Sequence, residues 1–271
     1  MTLVWLPLIL FVVLCLILGR NFIRFRGVLK AQLAAYRRGD YQGQLKIIEG
    51  FRTNRSEPEH YLFFRGTACY ELGRLEEAEQ LLRRSLSMAN DPARRTVCRD
   101  QLGLVLMEQA RYDEAAACFR VCIEESPKRG GGHRGMAETL LRQGGENVPA
   151  LDAARLAVEA DRAEKVLGGK LGREAHVLNL SESLAVFAWA LTKNSVDPAE
   201  VEGALTEAFA LCGETTKPIR ARLHYCASQA FSALGNTAES TRHIQFAAEI
   251  DPLGNYGRLA RAAAGTAIPP A

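Results

Sequence analysis

Two cysteines one helical turn apart, Cys118 and Cys122, are the first residues whose types and spacing could do chemistry. On a helix their sulfurs share one face, which suits a metal site, a disulfide framework or a redox pair. The other cysteines after the first 26 residues show no CxxC or CxxH spacing: Cys69, Cys98, Cys212 and Cys226. Because free cysteine packs as a small buried apolar side chain, we interpret all six as core packing in a reducing compartment.

Other stretches that could carry chemistry are weaker. The segment KRGGGH, residues 128–133, has the glycines of a phosphate loop, but no strand precedes it and no GK[ST] follows. His133 and His224 lie near the starts of helices, where a satisfied, partly buried imidazole is the ordinary outcome. No Ser/His/Asp arrangement is present. We therefore predict no catalytic site, no metal site and no cofactor, so that the protein is not an enzyme.

Composition narrows the classes of partner. The chain has 271 residues, 48% of them hydrophobic, and a net charge of +3 from 34 basic and 31 acidic side chains. That length allows one extended or two compact domains. Because the two signs of charge nearly balance, the sequence gives no electrostatic reason to expect nucleic acid.

The N-terminus carries an apolar run, Leu3–Gly19, of 17 residues without a charge. As a helix it would span about 25 Å at roughly 1.5 Å per residue, which is short but sufficient to cross a bilayer. A signal peptide would need a basic start and a small-x-small cleavage site, and lipidation at Cys15 would need a small residue at Leu14. A helix buried inside the fold is a further alternative. We predict an uncleaved transmembrane anchor.

Basic residues follow the apolar run, beginning with Arg20, Arg24 and Arg26, whereas only the terminal amine precedes it. The positive-inside rule therefore predicts a single-pass membrane protein whose soluble part lies in the cytoplasm. The same arginines should attract anionic lipid by about 1 kcal/mol for each charge near the surface.

Internal repeats organise the remainder of the chain. Four similar stretches share a turn residue at Gly39, Gly73, Ala110 and Gly144, with spacings of 34, 37 and 34 residues, and a fifth has Gly235 at the same place. A period of this length is typical of stacked helix–turn–helix units.

These stretches resemble the tetratricopeptide repeat from about residue 27 to residue 252. In the third copy, Leu102-Gly103 stands in the first helix, Ala115 and Phe119 in the second helix, and Pro127 at the close. Cys122 takes a position that the repeat reserves for a small residue. Small side chains let the two helices of a unit approach closely, and large ones fill the gap to the next unit.

The resemblance implies an all-α solenoid of about five to six units after the transmembrane helix. We divide the chain into an anchor with its basic flank (1–26), units one to four (27–161), a divergent helical unit (162–214), a last unit (215–252), and a capping helix with a tail (253–271). Within the divergent unit, Asp197 and Pro198 should begin a helix that ends at Gly213.

In this family, the first helices of successive units line a concave groove that binds peptides or helices. Carried over to this sequence, the groove comprises Leu29, Leu33, Tyr36, Phe63, Thr67, Tyr70, Asp100, Leu104, Met107, Arg134, Glu138 and Leu141. It should be apolar and aromatic near the membrane and more charged further along. A carboxylate-binding set of Lys, Asn and Arg is missing, because Phe63, Thr67 and Asp100 occupy such places.

We therefore predict a membrane-anchored scaffold or adaptor that binds a peptide or helix of a protein partner at the cytoplasmic surface. Its layout is similar to that of anchored repeat proteins of bacterial envelope biogenesis, without their C-terminal metal knuckle. An exported, translocon-associated chaperone of the same fold is the main alternative. An enzyme within residues 160–213 is a third class, but no arrangement of candidate catalytic residues in that stretch supports it.

Overall fold

The structure is a computed structural model that describes residues 27–50, 58–144, 147–164, 169–194, 197–213 and 216–265. The predicted anchor at 3–19 and its flanking residues Arg20, Arg24 and Arg26 lie outside these ranges. Across the described ranges, we find no helix with the length and apolar character needed to cross a membrane.

The described residues form thirteen helices and no strand, which confirms the all-α prediction for this part of the chain. The first helix, α1, covers residues 27–37. The others are α2 (Tyr41–Gly50), α3 (Glu59–Glu71), α4 (Leu75–Met88), α5 (Pro92–Glu108), α6 (Tyr112–Glu125), α7 (Gly130–Gln143), α8 (Asn147–Ala163), α9 (Gly169–Thr192), α10 (Pro198–Cys212), α11 (Lys217–Ala233), α12 (Thr237–Ile250) and α13 (Asn255–Ala263).

Each predicted turn residue separates the two helices of a pair and has a left-handed backbone. The φ angles are 70° at Gly39, 75° at Gly73, 57° at Ala110, 72° at Gly144 and 75° at Gly235. Glycine adopts this conformation freely, whereas a side chain at the same place costs about 1–2 kcal/mol. The repeat alignment therefore located the turns correctly, including the one that uses alanine.

Close helix crossings explain the small residues of the repeat. Phe119 of α6 is fully buried, with its ring against Gly103 of α5 and Gly135 of α7. A Cβ atom at Gly103 would lie 2.7 Å from the ring, so only glycine fits without movement. One large side chain thus joins three successive helices.

The divergent unit is also a helical hairpin, formed by α9 and α10, and it packs between α8 and α11. As expected, Asp197 caps α10, because its side chain accepts a hydrogen bond of 2.9 Å from the backbone N–H of Ala199. The helix ends before Gly213. The region departs from the repeat in sequence but keeps the paired arrangement.

The two ends of the solenoid meet. Arg37 of α1 forms a 2.6 Å ion pair with Glu174 of α9, and the hydroxyl of Tyr41 donates a hydrogen bond to Asp251 after α12. The expected capping helix, α13, is present but does not extend the stack outward. It lies across the C-terminal ends of α3, α5 and α7, with Asn255 as one of its contacts.

Candidate functional site

A cavity of about 550 Å³ occupies the interior of the closed solenoid. The first helix of every pair lines it, namely α1, α3, α5, α7, α9 and α11, and α13 contributes Tyr256. The predicted groove is therefore a partly open cavity at the centre of the solenoid, because the two ends of the solenoid come together.

One side of the cavity is apolar, and we call it the apolar wall. It consists of Leu29, Leu33 and Tyr36 of α1 with Phe63 and Phe64 of α3. The two phenylalanine rings meet edge to face with their centroids 5.4 Å apart. Leu33 is 37% exposed, which is high for a large apolar side chain. This wall offers contact area to an apolar ligand group.

The opposite side is a network of charges, and we call it the ionic wall. Its members are Arg134, Glu138, Arg142, Glu182, Arg222 and Tyr256. At its centre is Glu138, which is 0% exposed and lies 2.5 Å from Arg222 and 2.6 Å from Arg142. The hydroxyl of Tyr256 donates to the same carboxylate at 2.9 Å.

The ionic wall holds Glu138 ionised. Burial alone would raise the pKa of Glu138, but the charges of Arg222 and Arg142 and the hydrogen bond from Tyr256 outweigh it and lower the pKa to about 2. The other carboxylates share the same arginines. Glu182 lies 3.2 Å from Arg134 and 3.0 Å from Arg222.

The carboxylate of Asp161 occupies the N-terminal end of α7. The backbone N–H of Gly130 donates to the Oδ1 atom of Asp161 at 3.2 Å, and the hydroxyl of Ser183 donates to Oδ2 at 2.6 Å. A buried carboxylate thus occupies the place where a phosphate would sit at this helix N-terminus. The segment at residues 128–133 forms a turn and the first turn of α7, as the repeat predicts.

α13 is bound at the end of the cavity by polar contacts. The side-chain amide of Asn255 donates to the Tyr70 hydroxyl at 2.8 Å and to Glu108 at 2.9 Å. Its backbone N–H donates to Glu71 at 3.0 Å, and Arg258 donates to the backbone carbonyl of Glu71. Tyr70 is therefore a structural contact of α13 as well as a cavity residue.

Two carboxylates on α3 and α5 contrast with Glu138. Burial raises the pKa of Glu71 to about 8, and the hydrogen bond from Asn255 and the charge of Arg258 oppose this only in part. Burial also raises the pKa of Asp100 above its ordinary value, against the charges of Arg134 and other arginines. Both carboxylates line the cavity without a close arginine partner.

Nine of the twelve residues that we predicted for the groove line the cavity: Leu29, Leu33, Tyr36, Phe63, Thr67, Tyr70, Asp100, Leu104 and Arg134. Met107 does not, because it is 1% exposed and accepts a hydrogen bond of 3.5 Å from Thr139 in the core. Glu138 is a buried member of the ionic wall, and Leu141 is 8% exposed and belongs to the hydrophobic core. The structure places these three side chains behind the cavity surface.

Several cavity residues were missed by the sequence analysis. Phe64 adjoins the predicted Phe63, while Glu182, Arg222 and Tyr256 lie on α9, α11 and α13. The groove was carried over only to the first four units, because the repeat pattern lapses after them. α11 is the first helix of the last pair, and its residues that face the cavity are the signal that could have revealed Arg222.

The six cysteines of the described residues are all free thiols. Cys122 is 2% exposed, and its sulfur lies 3.5 Å from the carbonyl oxygen of Thr96. Burial raises the pKa of both Cys118 and Cys122, which keeps them protonated and unreactive. In the described ranges, no group of three or more His, Cys, Asp or Glu side chains could hold a metal ion.

The predicted histidines have ordinary partners. The Nε2 atom of His133 lies 3.2 Å from the carbonyl oxygen of Pro127. His224 and His243 face each other with their Nδ1 atoms 2.8 Å apart. Burial lowers the pKa of His224 to about 3, so that it is neutral at physiological pH.

Comparison with known proteins gives a match to two of the helical pairs. Residues 59–92 and 99–129 match the family model of the tetratricopeptide repeat. These segments include α3–α4 and most of α5–α6. Among curated proteins, no relative of the chain is found.

Solved structures of similar shape include TTC0263, a thermophilic tetratricopeptide repeat protein of Thermus thermophilus. It has a TM-score of 0.48 and 19% identity, over 76% of this chain and 98% of that one. BtubC (BKLC) from P. vanneervenii has a TM-score of 0.47 and 15% identity, over 91% of each chain. MamA from Desulfovibrio magneticus RS-1, in a form that begins at residue 41, has a TM-score of 0.46 and 13% identity, over 69% of this chain and 93% of that one.

Proposed function

We propose that this protein is a membrane-anchored adaptor that holds a peptide segment of a protein partner in its central cavity. The observation that carries the proposal is the cavity itself. Its volume of about 550 Å³ falls within the range of about 300–1,000 Å³ that ligand sites usually have. The fold of the matched repeats is that of protein-interaction scaffolds.

The apolar wall supports a protein partner. Aromatic side chains at the centre of an interface often provide most of the binding free energy, because they bury a large rigid surface. Phe63 and Phe64 face the cavity from α3, and both are partly exposed. A peptide with apolar side chains would cover these rings and the half-exposed Leu33.

The sequence supports placement at the membrane. The apolar run Leu3–Gly19 and the arginines Arg20, Arg24 and Arg26 favour a cytoplasmic orientation and contact with anionic lipid. α1 follows directly after this flank, and four of its side chains line the cavity. The partner would therefore be held close to the bilayer.

An exported chaperone is the second candidate, since the same cavity would serve it on the other side of the membrane. A reporter enzyme fused after Ala271 distinguishes the two orientations. We expect activity in the cytoplasm, and a weaker preference when Arg20, Arg24 and Arg26 are replaced by neutral residues. Efficient export of the unmodified fusion would favour the chaperone.

The cavity is tested by Phe63→Ala in the full chain. We expect the amount of partner retained on isolated membranes to fall about tenfold, because an aromatic anchor of an interface typically contributes more than about 1.4 kcal/mol. Tyr70 is not suitable for this test, since its hydroxyl also binds Asn255 of α13.

Phe246→Ala is the matched control. This phenylalanine is 37% exposed on α12 and does not line the cavity. The melting temperature of each variant must remain near that of the unmodified protein, since Phe63 also packs against the core of α3–α6. Equal retention of the partner by a folded Phe63→Ala protein would place the binding surface elsewhere.

A further inference from the structure

Asp100 of α5 lines the cavity, and its carboxylate lies near Gly131 at the start of α7. Among the residues that the structure describes, it has no hydrogen bond and no ion pair. The nearest arginines of the lining are engaged elsewhere: Arg134 pairs with Glu182 at 3.2 Å, and Arg222 pairs with Glu138 at 2.5 Å. Asp100 can therefore accept a hydrogen bond from a cationic group of a ligand.

The two guanidinium groups that line the cavity, those of Arg134 and Arg222, form their ion pairs with other carboxylates. Arg134 pairs with Glu182 and lies 3.9 Å from Asp161, and Arg222 pairs with Glu138 and Glu182. The charges of Arg134, Arg129 and Arg222 act on Asp100 only from beyond ion-pair distance. A positive group of a ligand can therefore form the first close ion pair with Asp100.

Unsatisfied amide groups add a second, independent observation. Gln32 and Gln44 line the cavity, are 4% and 5% exposed, and have Oε1 atoms without a donor. Arg222 also lines the cavity, and its Nε atom has no acceptor. Buried polar groups are normally paired, so these atoms mark hydrogen-bonding capacity that the fold leaves unmet, and a ligand meets it once the side chains turn toward the cavity.

We propose that the cavity binds a peptide segment with apolar side chains and one lysine or arginine, whose positive charge pairs with Asp100. This proposal rests on the proposed function and names the chemistry of the partner. The apolar side chains contact the apolar wall. Peptide N–H groups can donate to Gln32 and Gln44, and a peptide carbonyl can accept from Arg222.

Peptide backbone explains the mixture of unmet groups better than a simple amine does. A small amine would supply donors for the glutamine oxygens but no acceptor for the Nε atom of Arg222. A peptide whose free carboxylate takes the place of the positive group is disfavoured, because its charge would face Asp100. The structure therefore selects against the negatively charged termini that a Lys/Asn/Arg set would bind.

The test uses three synthetic peptides that differ at one side chain. The reference is acetyl-Leu-Leu-Lys-Leu-Leu-amide, and its two relatives carry norleucine or glutamate in place of lysine. Blocked ends leave the central side chain as the single difference in charge. Binding to the full chain in detergent is measured by calorimetry. We expect the lysine peptide to bind about tenfold more tightly than the norleucine peptide, and the glutamate peptide to bind most weakly.

Asp100→Asn isolates the ion pair, because it removes the charge and keeps the shape of the side chain. We expect this variant to bind the lysine and norleucine peptides equally, while Asp100→Glu keeps the preference for lysine. Asp113→Asn is the matched control, since Asp113 is an exposed residue of α6 outside the cavity. It should leave all three affinities unchanged.

The outcomes separate this proposal from the proposed function. Equal binding of the three peptides to the unmodified protein would overturn the cationic partner but retain a peptide site. A preference for lysine that survives Asp100→Asn would place the cation elsewhere and overturn the role of Asp100. Absence of saturable binding by any of the peptides would contradict both the charge selection and the peptide-binding cavity.

Discussion

Glu138 on α7 and Glu71 on α3 belong to opposite sides of the same interior, and their surroundings shift the pKa of the carboxyl group in opposite directions. Glu138 accepts from Arg142, Arg222 and Tyr256, and its pKa falls to about 2. Glu71 is held by a backbone N–H, and burial raises its pKa to about 8. The difference is one of cations nearby, not of burial alone.

This contrast separates a structural side of the interior from a side that is available to a ligand. On the ionic wall, the arginines offset the cost of burying carboxylates, and the contacts join α7, α11 and α13. On the side of α3 and α5, Asp100 and Glu71 lack such arginines and face the cavity. We infer that the first region stabilises the closed solenoid, whereas the second keeps binding capacity unused.

The largest effect is expected from Glu138→Gln. The substitution keeps the shape of the side chain but leaves Arg142 with Glu108 and Arg222 with Glu182 as their remaining acidic partners. Removing one member of a buried ion pair usually costs about 3–5 kcal/mol. We expect the free energy of unfolding of the full chain to fall by about 3 kcal/mol in denaturant titration, at the lower end of that range, since each arginine retains one carboxylate.

Glu202→Gln is the control for that measurement. Glu202 is an exposed residue of α10, and such surface substitutions usually change stability by less than about 0.5 kcal/mol. If Glu138→Gln were no more destabilising than this control, the ionic wall would not be what stabilises the interior.

The sequence was sufficient for the local features of the fold. The turn at Ala110 was located although alanine is not the usual left-handed residue, because the spacing of the repeat fixed its place. The cap at Asp197 followed from the residue type and the proline after it. These features depend on contacts within one turn or one helix pair, which periodicity and capping rules describe.

The interior was predicted less well, because it depends on closure of the solenoid. Glu138 meets Arg222 across 84 residues and Tyr256 across 118 residues, and no repeat pattern indicates either contact. Position on the first helix selected Phe63 and Asp100, and both line the cavity. It does not distinguish Met107, which α7, the first helix of the next pair, covers through Thr139.

A smaller effect is expected in the pH dependence of stability, to which Glu71 contributes. The unfolded chain ionises this group near its ordinary pKa of 4.5, whereas the folded protein keeps it protonated up to about pH 8. Between these values the folded state binds the extra proton, so its stability falls as pH rises, by at most about 1.4 kcal/mol per pH unit. Glu138 has the opposite sign, and its window lies between about pH 2 and 4.5.

Glu71→Gln removes this titration and retains an oxygen that accepts from the N–H of Asn255. We expect the stability of the unmodified protein to fall between pH 6 and 8 by on the order of 1 kcal/mol more than that of the variant. Asp251, Glu108 and Arg258 also face Glu71, and the variant keeps all of them, so the difference between the two pH profiles reports Glu71 alone. Parallel profiles from denaturant titrations would show that Glu71 is ionised in the folded protein. Glu71 and Glu138 would then both be ionised in the folded protein.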